Sequence, residues 1–229
     1  VAILAALRHA ERTGEGQAID MALLDTQVAV LANLGASYLV GGRYEGKVPG
    51  RMGNAHQNVV PYQVFEVAPA QAGVRDYMIL AVGNDSQFAK FCDIAGHPEW
   101  ATDARFSSNS LRVSNRDTLI PLMEAVFKTR TKTDWLSSLE AAKVPCGPIN
   151  NLAEVFADPQ VQARGMVDTW AHPQRDDLRL VASPIKLSGT PVRKERPPPL
   201  LGQHTEEVLA GVLGLPAERI AQLRAQEVI

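Results

Sequence analysis

The chain has 229 residues, 45% of them hydrophobic and 21% charged, with a formal net charge of −2. At about 1.5 times a typical domain it can bury a core without staples, and so weak a net charge implies no polyanion partner such as nucleic acid. Its cysteines, Cys92 and Cys146, are too few for a disulfide framework and lack a neighbouring Cys or His at metal-ligand spacing, so no metal and a reducing, cytoplasmic setting are expected.

The chain opens Val1-Ala-Ile-Leu-Ala-Ala-Leu7, already in helical register, with no initiator Met and no cap, and reads as part of something longer. Leu4, Leu7 and Ala10 share one stripe of a helix over residues 1–12, which Thr13-Gly14 closes because glycine accepts the left-handed C′ conformation. No basic segment precedes this apolar opening and no small-residue cleavage site follows it, so it is not expected to act as a signal peptide. Residues 17–23 alternate Ile19, Met21 and Leu23 against Ala18, Asp20 and Ala22, which predicts a short strand. Asp25 is placed to cap the next helix, whose apolar positions Leu24, Val28, Leu31, Gly35 and Leu39 keep a 3.6-residue period. The apolar stretch over residues 21–42 is interrupted by Asp25, Gln27 and Asn33, and no membrane span is expected.

Residues 41–57 are rich in glycine, basic and polar side chains and read as a linker and exposed loop. Strands are predicted over residues 62–67 and 77–82. Asn84 and Asp85 then cap a helix carrying Phe88, Phe91, Cys92 and Ala95, stopped by Gly96 and Pro98. Another helix is marked by Leu119, Leu122, Met123, Val126 and Phe127, with Pro121 expected to kink or shorten its first turn. Residues 133–142 read as helical around Trp135 and Leu139, and Val144-Pro145-Cys146-Gly147-Pro148 breaks the chain. Asn151 and Glu154 have capping-box spacing, Asp158-Pro159 starts a turn that Gly165 ends, and residues 178–182 and 184–187 are strand candidates. Helices from Thr205 to Leu213 and from Pro216 to Leu223 close the chain.

Several segments together resemble the class III CoA-transferases: Thr13-Gly-Glu-Gly-Gln17 with Ile19-Asp-Met-Ala-Leu-Leu-Asp25, Gly53-Asn-Ala-His56, Gly83-Asn-Asp85, Val144-Pro-Cys-Gly-Pro-Ile149, Phe156-Ala-Asp-Pro-Gln160 and Leu200-Leu-Gly-Gln-His-Thr205. Each alone is weak; their order across nearly the whole chain carries the resemblance. Gly53-Asn-Ala-His-Gln-Asn58 followed by Pro61-Tyr62 looks most like the branch that moves CoA between dicarboxylates such as succinate and glutarate.

The resemblance implies an α/β fold: a Rossmann-like large domain, present here in part, with an inserted smaller α+β domain. On that map residues 1–40 and 131–229 belong to the large domain and residues 41–130 form the small one. It also implies a homodimer of interlocked full-length chains, acyl-CoA and carboxylate substrates, no cofactor beyond the CoA thioester, and a nucleophilic aspartate upstream of Val1. Such a chain would not catalyse alone. Transfer of CoA suits a carboxylate nucleophile, because attack on a thioester gives a mixed anhydride that the CoA thiolate attacks in turn. Such intermediates hydrolyse easily, so a cover that excludes water and donors aimed at the oxyanion are needed.

The candidate for that cover is the substrate loop Gly53, Asn54, His56, Gln57 and Asn58. It corresponds to a glycine-rich loop in the formyl-CoA transferase relatives, yet His56, Gln57 and Asn58 stand where those relatives have glycines and offer donors to an acceptor carboxylate instead. Other features read as structural: Thr13-Gly-Glu-Gly-Gln17 as a turn, Asp20 and Asp25 as polar-face and capping groups, Cys146 as a packed thiol in a rigid turn. His204 is expected to satisfy backbone groups, and Arg43, Lys47 and Arg51 to form a solvated basic cluster that could otherwise meet acidic substrate or CoA phosphates. Two rivals stay open: an α-methylacyl-CoA racemase-like enzyme and an inactive remnant.

Overall fold

The computed structural model describes residues 1–42 and 48–229, which divide into two units, Val1–Gly147 and Pro148–Ile229. In the first unit, α1 (Ala2–Thr13) ends at Gly14, whose φ of 80° lets its N–H turn back to Ala10 O. The strand expected over residues 17–23 is absent. Residues 15–22 are irregular, because alternation marks a face but no described strand lies alongside to complete a ladder. Helix α2 (Leu23–Val30) therefore begins earlier than expected, with Ala22 at its N-cap and Asp25 inside its first turn. The single helix expected as far as Leu39 is broken at Leu31 into α2 and α3 (Ala32–Ser37), followed by a π-helical turn.

Strands β1 (Tyr62–Val67) and β2 (Asp76–Ala81) pair antiparallel, with Tyr62 opposite Ala81 and Val67 opposite Asp76. Phe65, Val67, Met78 and Leu80 turn their side chains to one buried face. Strand β3 (Cys146–Ile149) completes the sheet beside β2, so the stretch read as a rigid turn is extended. The buried face meets α4 (Asp85–Ala95), α6 (Arg116–Phe127) and α7 (Lys132–Ala141), whose core residues include Phe88, Phe91, Leu119, Met123, Phe127, Trp135 and Leu139. Each such side chain contributes about 1.5–3 kcal/mol by leaving water. Asn84 caps α4 by accepting from Gln87 N, and Gly96 ends it in the left-handed region. A short helix, α5 (Asn109–Ser114), precedes α6 across a break at Asn115, so Pro121 falls in the second turn of α6 and not the first.

In the second unit the capping box is formed as expected: Asn151 accepts from Glu154 N, and Glu154 accepts from Asn151 N, at the start of α8 (Leu152–Ala157). Asp158 caps α9 (Pro159–Ala163). Strand β4 (Val167–His172) pairs antiparallel with β5 (Arg175–Val181). The partner of the strand candidate at 178–182 thus lies upstream of it. Residues 184–187 form no strand, and Pro184 could supply no ladder N–H. Helices α10 (Thr205–Gly211) and α11 (Ala217–Ala225) close the chain. Ala182 and Ile220 are the buried apolar residues described in this unit, whereas Val181, Ile185, Leu201, Val212 and Leu213 are exposed.

Candidate active site

The loop over residues 50–58 runs into β1, and its shape follows from a few local bonds. Gly53 has φ 60°, a left-handed conformation costly to a residue with a Cβ, and Ala55 N closes a turn onto Met52 O at 3.0 Å. Asn54 Oδ1 accepts from Val64 N at 3.1 Å, which commits that side chain to holding β1. His56 N donates to Tyr62 O at 2.8 Å, and its ring stacks on that of Tyr62 with centroids 5.3 Å apart and planes 7° apart. Its Nδ1 accepts from Asn58 N at 3.1 Å, so in the neutral ring the proton sits on Nε2, where it can be donated.

The remaining polar backbone of the segment is held from α5 and α6. Asn109 Nδ2 donates to Asn58 O at 2.8 Å, and its Oδ1 accepts from Val60 N at 3.1 Å. Arg112 Nε donates to Val60 O at 2.7 Å. Arg116 Nη2 donates to both His56 O, at 2.9 Å, and Gln57 O, at 2.7 Å. Asn109 and Arg112 stand three apart on α5, and Arg116 opens α6 just past the break at Asn115, so side chains from two consecutive helices reach the same segment. The sequence reading missed this clamp, although a signal was present: Arg112 and Arg116 continue the stripe of Leu119, Met123 and Phe127, so arginines stand at positions that face inward.

A cavity of about 350 Å³ opens between α3 and this loop, lined in part by Asn33, Arg51, Met52, His56, Gln57 and Asn58. Gly53 also lines it and Asn54 does not. Among the described residues its titratable or charged lining side chains are Arg51 and His56, with no carboxylate. Arg51 is exposed, as the solvated reading expects, and also lines this cavity beside the predicted loop; Arg43 and Lys47 lie outside the described residues. Among the described residues such a lining offers donors and one fixed positive charge, which suits an anionic ligand.

The other sequence candidates are placed elsewhere. Thr13 Oγ1 accepts from Glu15 N and donates to His9 O, a local turn. His204 Nδ1 pairs with Glu207 at 2.9 Å, a side-chain partner in place of the backbone groups expected. Burial pushes the Cys92 thiol up to about 12 and raises that of Cys146, so neither is an activated nucleophile. Among the described residues no group of three His, Cys, Asp or Glu could hold a metal ion, and no single helix is long and apolar enough to cross a membrane.

The model of CoA-transferase family III matches residues 1–205. The chain belongs to that family. Over 210 residues this family III chain is 48% identical to the succinate–glutarate CoA-transferase of Agrobacterium fabrum, a match covering 91% of the chain and 50% of that protein. It is 38% identical over 228 residues to the human succinyl-CoA:glutarate CoA-transferase, covering 100% of the chain and 50% of that protein. The crystal structure of a CaiB/BaiF family protein from Brucella suis superposes with a TM-score of 0.72 at 42% identity, covering 92% of this chain and 52% of that one. The mixed α/β fold of family III is thus shared, and the chain spans about half the length of the curated relatives it matches.

Proposed function

We propose that the complete protein moves CoA between an acyl-CoA thioester and a free dicarboxylate of the succinate or glutarate type, and that the 50–58 loop receives the acceptor acid. The observation that carries this reading is the cavity beside the loop, where Arg51 supplies a fixed cation, His56 an imidazole donor, and the described lining residues include no carboxylate that would repel an acid. Named relatives that act on succinate and glutarate support the choice of substrate.

The nucleophile in this reading is an aspartate in the half of the relatives' length that these residues do not span. Its carboxylate attacks the donor thioester and expels CoA thiolate, leaving a mixed anhydride. The thiolate then attacks the enzyme's own carbonyl, which frees the donor acid and leaves an enzyme–CoA thioester. The acceptor carboxylate attacks that thioester, expels the thiolate and forms a second anhydride, whose acyl carbonyl the thiolate takes to regenerate the aspartate. His56 and Asn58 hold the acceptor while the covered site excludes water. The reading includes a homodimer of complete chains.

The test is to incubate the complete gene product with succinyl-CoA and a panel of dicarboxylates and to identify products by mass. New acyl-CoA species with glutarate are expected. Exchange of an α-proton in heavy water with the acyl group unchanged would replace the reading with a racemase. His56→Ala should lower use of the acceptor acid far more than it lowers the denaturation midpoint; equal loss of both would return the loop to a structural role.

A further inference from the structure

We propose that Arg116 is a positioning residue that sets how the 50–58 loop meets the acceptor acid, and that it does so through a single nitrogen; the proposal deepens the acceptor-site reading and rests on it. Arg116 Nη2 alone reaches both loop carbonyls, His56 O at 2.9 Å and Gln57 O at 2.7 Å. Its Nη1 is buried and has no hydrogen-bond partner among the described residues. Two consecutive carbonyls drawn to one cation fix the orientation of two peptide planes.

Because C=O and N–H point in opposite directions across a trans peptide, the Gln57 and Asn58 N–H groups are turned away from Arg116. The Asn58 N–H is taken by His56 Nδ1, which fixes the imidazole with its proton on Nε2. The Gln57 N–H has no partner among the described residues. One guanidinium nitrogen therefore presets two donors, Gln57 N–H and His56 Nε2–H, on residues that line the cavity beside Arg51. Preset donors bind a carboxylate without the entropy of ordering the loop at each encounter.

The neighbouring arginine supplies a contrast. Arg112 uses Nε, Nη1 and Nη2 on three separate acceptors, Val60 O, Phe106 O and Asp85, which no single ammonium can reach together. Arg116 places both of its bonds on one nitrogen, so a lysine can take over its role.

The test compares wild type, Arg116→Lys and Arg116→Gln in the complete gene product. It reads kcat, the KM for glutarate, the KM for succinyl-CoA, the urea midpoint and amide exchange over residues 53–60. Arg116→Gln should raise the glutarate KM about tenfold, leave the succinyl-CoA KM within about twofold and speed exchange over 53–60 about tenfold; Arg116→Lys should stay within about threefold of wild type in each. A fall in kcat and midpoint with both KM values unchanged would overturn the proposal, as would a lysine variant as impaired as the glutamine one. If Arg116→Gln does not fold, the lysine variant decides by the same limits. If wild type moves CoA to no acid, the functional reading fails by itself, and equal exchange protection of residues 53–60 in all three proteins would overturn the positioning role independently.

Discussion

Arg112, wholly buried, donates from Nε to the carbonyl of Val60 2.7 Å away, and so ties the segment between the candidate loop and β1 to α5. The same guanidinium donates to Phe106 O at 2.9 Å, pairs with Asp85 at 2.8 Å and lies 4.3 Å above the Phe88 ring. Arg112→Met would leave Val60 O and Phe106 O without their donor and is expected to cost about 3–5 kcal/mol of stability. Arg112→Lys is expected to recover little, since one ammonium cannot serve acceptors on three sides. Urea denaturation of the two variants decides it, and a methionine variant within about 1 kcal/mol of wild type would show that the pin is dispensable.

Phe127 is the hub of the buried aromatic cluster. Its ring lies 4.4 Å from Phe65, 5.6 Å from Phe91 and 4.8 Å from Trp135, and its carbonyl accepts from Trp135 Nε1 at 3.0 Å. Phe127→Ala leaves a void among three rings that rigid neighbours cannot close, at a cost of about 3–5 kcal/mol, whereas Phe127→Leu should lose less than half as much. Thermal denaturation of both variants, monitored by tryptophan fluorescence, checks both values.

Local signals made much of this fold legible. The Asn84 and Gly96 caps bound α4, the Asn151 and Glu154 box starts α8, and the alternation in β1 marks a face that is buried. Alternation failed over residues 17–23 because a strand also needs a partner, which no residue's own sequence supplies. It missed β3 because Pro145 and Pro148 read as a break, yet a short edge strand tolerates proline. At the candidate site the loop motif stood out in the sequence, and its clamp did not. Arg116 is 60 residues from His56, and only packing of α6 against the sheet brings that guanidinium under the loop carbonyls.

Cys92 should behave as an inert thiol. Burial moves it from an ordinary value of 9.0 up to about 12, so its thiolate fraction in the folded protein is far below that of a free cysteine. Iodoacetamide is expected to label half-buried Cys146 before Cys92 in the native state, and both at once in denaturant; mass mapping of the peptides reads the order. The sign for stability follows from the raised value. The unfolded chain releases the proton from about pH 9, the folded one not until about 12, so stability falls with rising pH across that window. Cys92→Ala should flatten that alkaline decline.

In the second unit the carboxylate of Glu207 accepts from Arg196 Nη1 at 3.0 Å and pairs with His204 Nδ1 at 2.9 Å. The Arg196 hydrogen bond first, and that of His204 second, hold it below the ordinary value of 4.5. A carboxylate depressed in the folded state stabilises above its unfolded value and loses that contribution as pH falls through the folded one. The start of α10 should therefore loosen below about pH 4.5, and Glu207→Gln should remove that acid dependence while leaving neutral-pH stability little changed, since the group is exposed. The titration of Glu207 followed by NMR in wild type and Arg196→Gln checks the cause: its midpoint should rise in the variant, and an unchanged midpoint would assign the depression to another group.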